Sequence, residues 1–237
     1  MKNVVIYSGS GISAESGIQT FRDIVDGLWY QYKVEEVATK QGWINDREKV
    51  LRFYNERRSQ LRNVFPNKGH LDLVKLEANC NVTIVTQNVD DLHERAGSTN
   101  IIHLHGELTK VRSTYNPTLI YDWGYEPLVV GDKCIKNSQL RPHVVWFGEE
   151  LNEEDVALAI NKIKEADYII IVGTSMAVSP ANEFPFYNQE SKTKYFFIDP
   201  SEFDDSIVPK RINFFKHIKE KATVGVELVI NEIVSDL

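Results

Sequence analysis

The sequence is poor in cysteine, with only Cys80 and Cys134 among its 237 residues. Two cysteines cannot form the disulfide framework of a small secreted domain, so a reducing cytosol is the expected compartment. Long apolar stretches are also missing. No run reaches the roughly 18 residues that a membrane span needs, and none precedes the first strand-like run. We therefore expect a cytoplasmic protein that has no membrane partner.

The sequence has no excess of positive charge either. Its 27 Lys and Arg residues are outnumbered by 34 Asp and Glu residues, which gives a formal charge of −7. This balance argues against general attraction to nucleic acid, although a local basic site for an acidic ligand is compatible with it. Hydrophobic and charged residues make up 42% and 26% of the chain, as in an ordinary globular protein with a sizeable core.

Strand-like apolar runs recur along the chain, and helix-like stretches separate most of them. The runs lie at 4–7, 82–85, 100–104, 144–147, 168–172 and 195–198. This alternation predicts an α/β fold that is Rossmann-like, with a largely parallel sheet.

Two segments do not fit the alternation of strands and helices. Residues 24–79 have helical patterns without an obvious strand, and residues 107–141 contain turn signals and read as irregular. We interpret both as insertions that pack together into a small second domain. The large part would then comprise approximately 1–23, 80–106 and 142–237, and the small part approximately 24–79 and 107–141.

The stretch 3–23 begins with an apolar strand and continues into Gly9-Ser10-Gly11 and a helix start. Glycine lets the backbone approach a pyrophosphate, and free N–H groups at a helix N-terminus attract the anion. An ordinary turn between strand and helix would look similar, and Ala14 stands where the usual fingerprint has a third glycine. The stretch therefore predicts a phosphate site only together with other signals.

Polar residues follow three of the predicted strands, where open α/β sheets bind ligands. Residues 86–93, "TQNVDDLH", come after one strand, and "HLHG" with His103 and His105 ends another. Gly173-Thr174-Ser175 closes a third. Taken alone, the first group is also explained by a loop in which Asp90 or Asp91 caps the helix at 92–96, and a single histidine is more often structural than catalytic.

Five motifs in this order resemble those of the sirtuins, the NAD-dependent protein-lysine deacylases. They are "GSGISAESGIQTFR", "TQNVDDLHERAG", "HLHG", "LRPHVVWFGE" and "VGTSMAVSPA", and a weaker match lies in "KAT" at 221–223. The wording "DGLW…VATK…FYNERR" is similar to the bacterial branch that removes acidic acyl groups as well as acetyl. The resemblance implies NAD as cofactor and acylated lysine side chains of proteins or peptides as substrates, with no nucleic-acid partner.

The resemblance also implies a set of cofactor-binding residues. They are Gly9, Ser10, Gly11, Ser13 and Glu15 around the phosphates and ribose; Thr20, Phe21 and Arg22 at the nicotinamide end; Gln87, Asn88 and Asp90 at the nicotinamide ribose and amide; Gly173, Thr174, Ser175, Asp199 and Ala222 on the adenosine side; and, with no part of the cofactor assigned, Ile12, Ser16, Trp29, Val89, Pro200 and Ser201.

His105 matches the catalytic base of the family. Cleavage of the bond between nicotinamide and ribose lets the acyl oxygen attack the sugar, and a base must then take a proton from a ribose hydroxyl. A neutral imidazole, with an unperturbed pKa of about 6.5, suits that task near neutral pH. The expected products are deacylated lysine, nicotinamide and an O-acyl-ADP-ribose.

Substrate contacts are implied at two places. "VVWFGE" matches the strand and turn on which a substrate peptide lies as an added strand, through Val144, Val145, Phe147, Gly148 and Glu149. Tyr54 and Arg57 lie at i and i+3 in a helical pattern, so they share one face, which in such a charged helix is usually just solvated. The same Tyr-x-x-Arg spacing marks the branch that acts on acidic acyl groups, and Ala38 matches its wider pocket.

The chain departs from the family pattern at its zinc site. Family members usually hold a structural zinc with two Cys-x-x-Cys pairs, whereas residues 107–141 contain only Cys134, and Ser113 stands about where the first cysteine would be. We expect no metal, and instead an aromatic cluster around Tyr121 and Trp123. Asp199 also replaces the usual asparagine, which adds a carboxylate near the adenosine half of the cofactor.

Two further functions stay open from the sequence. The same pocket could transfer or hydrolyse ADP-ribose without an acyl substrate, or the chain could be a non-enzymatic NAD-sensing module. A Rossmann dehydrogenase is disfavoured, because no second strand ends in an acidic residue about 20 residues after the glycines.

Overall fold

A computed structural model describes residues 1–20 and 32–237 of the chain. The strands, β1 to β9, are Lys2–Ser8, Cys80–Thr86, Ile101–His103, Gly106–Ser113, Ile120–Asp122, Leu140–Val144, Tyr168–Val172, Lys194–Ile198 and Phe214–Ile218. The helices within these described ranges, α1 to α8, are Gly11–Ala14, Val34–Val37, Lys40–Asn45, Arg47–Gln60, Lys68–Leu76, Leu92–Ala96, Glu153–Lys164 and Ala222–Ser235. Short 3₁₀ turns lie at Leu61–Asn63, Ala181–Tyr187 and Asp205–Ile207.

Six strands form one parallel sheet in the order β3-β2-β1-β7-β8-β9. Ile6 of β1 pairs with Ile84 on one side and with Ile170 on the other. The chain builds the sheet outward from β1 in both directions, so β1 and β7 meet where the winding reverses. In a doubly wound fold, the crevice at this point is where ligands bind.

Both faces of the parallel sheet are covered, because alternate residues of each strand point to opposite sides. Val4 and Ile6 pack on one face with side chains of α5 and α8, including Leu73 and Val229. The other face carries Tyr7, which packs with residues of α7 and of the 3₁₀ turn at Ala181–Tyr187. These two layers explain why the central strands read as continuous apolar runs.

The remaining three strands form an antiparallel sheet in the order β5-β4-β6. Helix α4 lies against it. Asp46 caps α4 by accepting a hydrogen bond from the Lys49 N–H at 2.9 Å, and Phe53 and Tyr54 are buried with Val111 and Leu140. This second core joins residues from both predicted insertions.

Five of the six predicted strands are confirmed as members of the parallel sheet. The prediction at 144–147 is wrong, because the strand there is Leu140–Val144, it belongs to the antiparallel sheet, and it gives way to a turn. The irregular interpretation of 107–141 is also wrong. In β4, apolar residues alternate with polar and charged ones, because one face of the strand is less buried than the other. The strand therefore does not show as an apolar run in the sequence. The edge strand β9 was missed because it is only partly buried.

The division into a large and a small part stays a prediction. Packing places Leu73 and Leu76 of α5 in the core of the parallel sheet, whereas Leu51 and Phe53 of α4 pack with the antiparallel sheet. The segment at 68–76, which we assigned to the small part, therefore packs with the large one. Of the helices described, none is both long and apolar enough to cross a bilayer.

Candidate functional site

A cleft of about 1520 Å³ lies between the carboxyl ends of the parallel strands and the antiparallel sheet. Its floor is formed where two glycine turns touch. The Gly11 N–H donates to the Gly173 carbonyl oxygen at 2.8 Å, and a Cβ on Gly11 would lie 2.6 Å from the Gly173 Cα. Gly173 also has a φ of +61°. Side chains would force the turns after β1 and β7 apart, so glycine is required at both positions.

The polar cluster after β2 is tied together beneath the cleft. The Ser13 hydroxyl donates to Asp90 Oδ2 at 3.0 Å, the Asn88 amide donates to Ser13 Oγ at 3.2 Å, and the Leu92 N–H donates to Asp90 Oδ1 at 3.1 Å. Asp90 therefore does help to cap the following helix. Burial raises the pKa of Asp90 to about 6, against the lowering effect of these hydrogen bonds.

His105 lies between β3 and β4, at the carboxyl edge of the parallel sheet, and lines the cleft. Its Nδ1 is 3.0 Å from the carbonyl oxygen of Gln87. A carbonyl can only accept, so Nδ1 carries the hydrogen and Nε2 of the neutral ring is the basic nitrogen. Burial lowers the pKa of His105, which keeps the ring neutral near pH 7.

His103 has a different environment, although it lies only two residues earlier. It donates from Nδ1 to the Asn88 carbonyl oxygen at 3.2 Å and from Nε2 to Glu94 at 2.6 Å. Burial alone would lower its pKa, but the hydrogen bond and charge of Glu94, with a contribution from Glu107, raise it. His103 is therefore an ion-paired side chain that holds the loop after β2, and it does not line the cleft.

The described part of the chain contains one group of three potential metal ligands, Glu94, His103 and Glu107, with ligand atoms within 4.8 Å of one another. Their charges are already compensated, because His103 donates to Glu94 and the Lys110 ammonium lies 2.5 Å from Glu107. Cys134 is not in this group. Its thiol donates to Ser113 Oγ at 3.3 Å inside the core of the antiparallel sheet.

One side of the cleft is formed by α4 and carries Tyr54 and Arg57. The Tyr54 hydroxyl oxygen accepts a hydrogen bond from Trp146 Nε1 at 3.0 Å. Nε and Nη1 of Arg57 are buried without a hydrogen-bond partner among residues 1–20 and 32–237, and its Cζ lies 5.3 Å from the centre of the Phe53 ring. Burial lowers the pKa of Arg57, but a guanidinium remains charged near neutral pH.

The turn after β6 closes the same side of the cleft. The Val145 N–H donates to the His105 carbonyl oxygen and the Phe147 N–H to the Ala38 carbonyl oxygen, both at 2.9 Å. The Glu149 carboxylate accepts from Arg112 at 2.9 Å and from Arg141 at 2.6 Å. Glu149 therefore fixes the turn by a buried ion pair, and its carboxylate is not free to contact a peptide.

The cleft brings together most of the predicted site residues. It is lined by Gly9, Ser10, Gly11, Glu15, Thr20, Ala38, Tyr54, Arg57, Gln87, Asn88, Val89, Asp90, His105, Val144, Val145, Phe147, Gly148, Glu149, Gly173, Thr174, Ser175, Asp199, Pro200, Ser201 and Ala222. Phe21, Arg22 and Trp29 lie outside the described residues.

Three predicted cofactor residues do not line the cleft but support it from below. Ile12 is in the sheet core, Ser13 holds Asp90, and Ser16 Oγ accepts from the Asn67 amide at 3.0 Å. Glu15 lines the cleft, yet its carboxylate is engaged by Thr223, which donates from N–H and hydroxyl at 3.0 and 2.9 Å. The Asp199 carboxylate accepts from the Ser201 N–H at 2.9 Å.

Several lining residues were missed by the sequence reasoning. They include Phe53, Leu108, Trp146 and Lys221. Trp146 stands inside the quoted motif "VVWFGE", and Phe53 directly precedes Tyr54, so their neighbours signalled them. Lys221 stands in the quoted match "KAT", next to the predicted Ala222. Leu108 had no such signal, because only the packing of β4 brings it to the cleft.

Comparisons with known proteins agree with this geometry. Residues 9–180 match the model of the Sir2 family. An NAD-dependent protein deacylase of Helicobacter pylori is 52% identical over 200 residues, which cover 84% of this chain and 85% of that protein. An NAD-dependent protein deacylase of Vibrio vulnificus is 42% identical over 246 residues, which cover 100% of this chain and 95% of that protein. The crystal structure of a Sir2 homologue–NAD complex superposes on this chain with a TM-score of 0.85 and is 38% identical to it. The match covers 98% of this chain and 90% of that one.

Proposed function

The chain belongs to the Sir2 family, and we propose that it is an NAD-dependent protein-lysine deacylase that accepts acidic acyl groups as well as acetyl. The observation that carries the proposal is one continuous cleft. It joins the glycine turns, the polar cluster after β2, His105 and Arg57, whose Nε and Nη1 have no hydrogen-bond partner in the part of the chain that the structure describes. Two buried free cysteines agree with action in a reducing cytoplasm.

The residues present fit NAD. The two glycine turns line the cleft without bulky side chains, so their backbone can meet an approaching pyrophosphate. Gln87, Asn88 and Asp90 offer amide and carboxylate groups for a ribose and a carboxamide. When bound, NAD would supply a ribose carbon that accepts the acyl oxygen once nicotinamide leaves. The Asp199 carboxylate is held by the Ser201 N–H, so it caps a turn at the adenosine side.

His105 is proposed as the general base. Its Nδ1–H is held by the Gln87 carbonyl, so the lone pair of Nε2 is the one that can accept a proton from a ribose hydroxyl. Gln87 belongs to the same loop as Asn88 and Asp90. The loop that binds the sugar therefore also sets the orientation of the base, which aligns the two reacting groups.

The acyl pocket is proposed to lie between Ala38, Tyr54 and Arg57. Two buried N–H groups of Arg57 lack an acceptor among the described residues, and a buried unpaired guanidinium is costly. A carboxylate at the end of a succinyl or malonyl chain would accept a charge-assisted hydrogen bond from one of these donors, and the Tyr54 hydroxyl would add another donor. An acetyl group would leave these donors unpaired. The pocket therefore favours acidic acyl groups.

The main test is product analysis by mass spectrometry. The protein would be incubated with NAD and with peptides that carry acetyl-lysine or succinyl-lysine. We expect O-acetyl- and O-succinyl-ADP-ribose together with nicotinamide. Nicotinamide released at the same rate without any acyl peptide would instead support ADP-ribose transfer or hydrolysis. Binding of NAD with no product would support a sensing module.

A variant of Arg57 tests the acyl assignment separately. Arg57→Met should reduce kcat/KM for succinyl-lysine at least about tenfold more than for acetyl-lysine, since a charge-assisted hydrogen bond to the carboxylate is lost. Arg52→Met is the matched control, because it removes the same charge from the same helix at an exposed position outside the cleft. Equal losses on both substrates in Arg57→Met, or a parent protein inactive on succinyl-lysine, would refute the acidic-acyl assignment.

A further inference from the structure

The hydroxyl of Tyr54 has its orientation set by Trp146. Trp146 Nε1 lies 3.0 Å from Tyr54 Oη, and the two side chains are only 2% and 5% exposed. An indole nitrogen can only donate, so the phenol oxygen is the acceptor. The Tyr54 O–H hydrogen is therefore left for a different acceptor, and nothing in the described ranges 1–20 and 32–237 accepts it.

Trp146 is itself held firmly by its neighbours. Its backbone N–H donates to Glu149 Oε2 at 2.9 Å, and the guanidinium carbon of Arg141 lies 3.2 Å from the centre of its ring. Arg141 Nη1 in turn donates to Glu149 Oε1 at 2.6 Å. A buried ion pair thus fixes both the backbone and the ring plane of Trp146, so the indole N–H has a defined direction.

We propose that Trp146 is a positioning residue for the recognition of acidic acyl groups, because it directs the Tyr54 O–H hydrogen toward the carboxylate held by Arg57. The inference rests on the proposed acyl specificity and extends it to a residue that need not touch the carboxylate. Without the indole donor, the phenol hydroxyl is free to rotate, and its hydrogen is no longer committed to the ligand. An acetyl group has no carboxylate and does not depend on this hydrogen.

The test replaces the indole and keeps an aromatic ring. In Trp146→Phe, the ratio of kcat/KM for succinyl-lysine to that for acetyl-lysine should fall about five- to tenfold, mainly through KM for the succinyl peptide. Trp43→Phe is the matched control. The Trp43 ring is also buried and lies 5.6 Å from the Trp146 ring, but it makes no hydrogen bond to Tyr54. Its ratio should stay within about twofold of the parent value.

A double-mutant cycle separates positioning from general damage. If Trp146 acts through the Tyr54 hydroxyl, Trp146→Phe should cause no further fall of the ratio in a Tyr54→Phe background. The inference would be overturned if Trp146→Phe left the ratio of kcat/KM values unchanged, or if the effects of the two substitutions on this ratio were additive in the double variant. Either result would leave the Arg57 assignment intact. A parent protein that is inactive on succinyl-lysine would overturn both.

A second measurement needs no variant at position 146. The protein has four tryptophans, and in Tyr54→Phe one indole N–H resonance should move strongly in NMR spectra. That same resonance of the parent should shift on binding of a succinyl-lysine peptide and much less on binding of an acetyl-lysine peptide. Equal responses to the two peptides would count against the inference even if Trp146→Phe does not fold.

Discussion

His105 donates from Nδ1 to the carbonyl oxygen of Gln87 at 3.0 Å, which leaves Nε2 as the basic nitrogen of the neutral ring. The same loop carries Asn88 and Asp90, which are tied to each other through Ser13. The proposed base and the proposed sugar-binding groups are therefore held by one loop.

Replacement of His105 should remove turnover and spare cofactor binding. We expect His105→Ala to lower kcat by about 10²- to 10⁴-fold, the contribution of a positioned general base. NAD affinity, measured by calorimetry, should change little, since the base acts after binding. His103→Gln is the comparison. It breaks the ion pair with Glu94 and should lower the free energy of unfolding by about 2 kcal/mol, with turnover largely retained. A His105→Ala protein that deacylates at the parent rate would end the proposed mechanism.

The two neighbouring histidines should titrate on opposite sides of the ordinary value of about 6.5. Burial lowers the pKa of His105, whereas the hydrogen bond and charge of Glu94 overcome burial and raise the pKa of His103. As the pH falls, His103 should gain its proton first and His105 should stay basic to below 6.5. NMR titration of the ring protons checks this order, and deacylation should decline only in the range where His105 titrates. The reverse order would contradict the assignment of the base.

Glu149→Gln should destabilise the fold through the two arginines that it leaves buried. We expect a loss of about 3 kcal/mol at pH 7 in urea unfolding, as for other broken buried pairs. Burial raises the pKa of Glu149, but Arg141 and Arg112 outweigh it and hold that pKa below its usual value.

The pH dependence of the stability follows from this lowered pKa of Glu149. The ionised carboxylate stabilises the folded state above its unfolded pKa of about 4.3, and this stabilisation is lost as the pH falls through the lower folded pKa. The difference in the free energy of unfolding between parent and variant should therefore be constant from pH 7 to 5 and disappear only below about pH 4.3. Glu126→Gln, which removes an exposed pair with Arg62, should change stability little. A similar effect of both variants would argue against the buried pair.

The antiparallel sheet should fold without zinc. The purified protein should contain substoichiometric zinc by metal analysis, and a chelator should not shift its Tm. Cys134→Ala should cost only about 1 kcal/mol, because the thiol is a small buried group that donates one hydrogen bond to Ser113. Tyr121→Ala should cost more, since Tyr121 packs against the core of this sheet. One zinc per chain, or unfolding by a chelator, would contradict the prediction.

Local patterns in the sequence determined much of this protein. Apolar runs indicated the parallel strands around Ile6 and Ile84, since a strand that is buried on both faces must be apolar throughout. The order of the motifs identified the family. The position of His105 at the end of a strand placed it at the edge of the sheet where ligands bind. Each of these features depends on residues that are close together in the chain.

Only the tertiary structure decided which polar groups are left unpaired. Trp146 and Tyr54 are hydrogen-bonded although they are 92 residues apart in the chain. Gly11 and Gly173, which follow the neighbouring strands β1 and β7, are also in contact. That Nε and Nη1 of Arg57 find no partner among the described residues results from what packs around α4 and not from the sequence of that helix. The strand β4 was not predicted for the same reason. Its less buried face carries charged residues, and it becomes a strand only by pairing with β5 and β6. Hydrogen-bond partners are set by long-range contacts, which local periodicity does not encode.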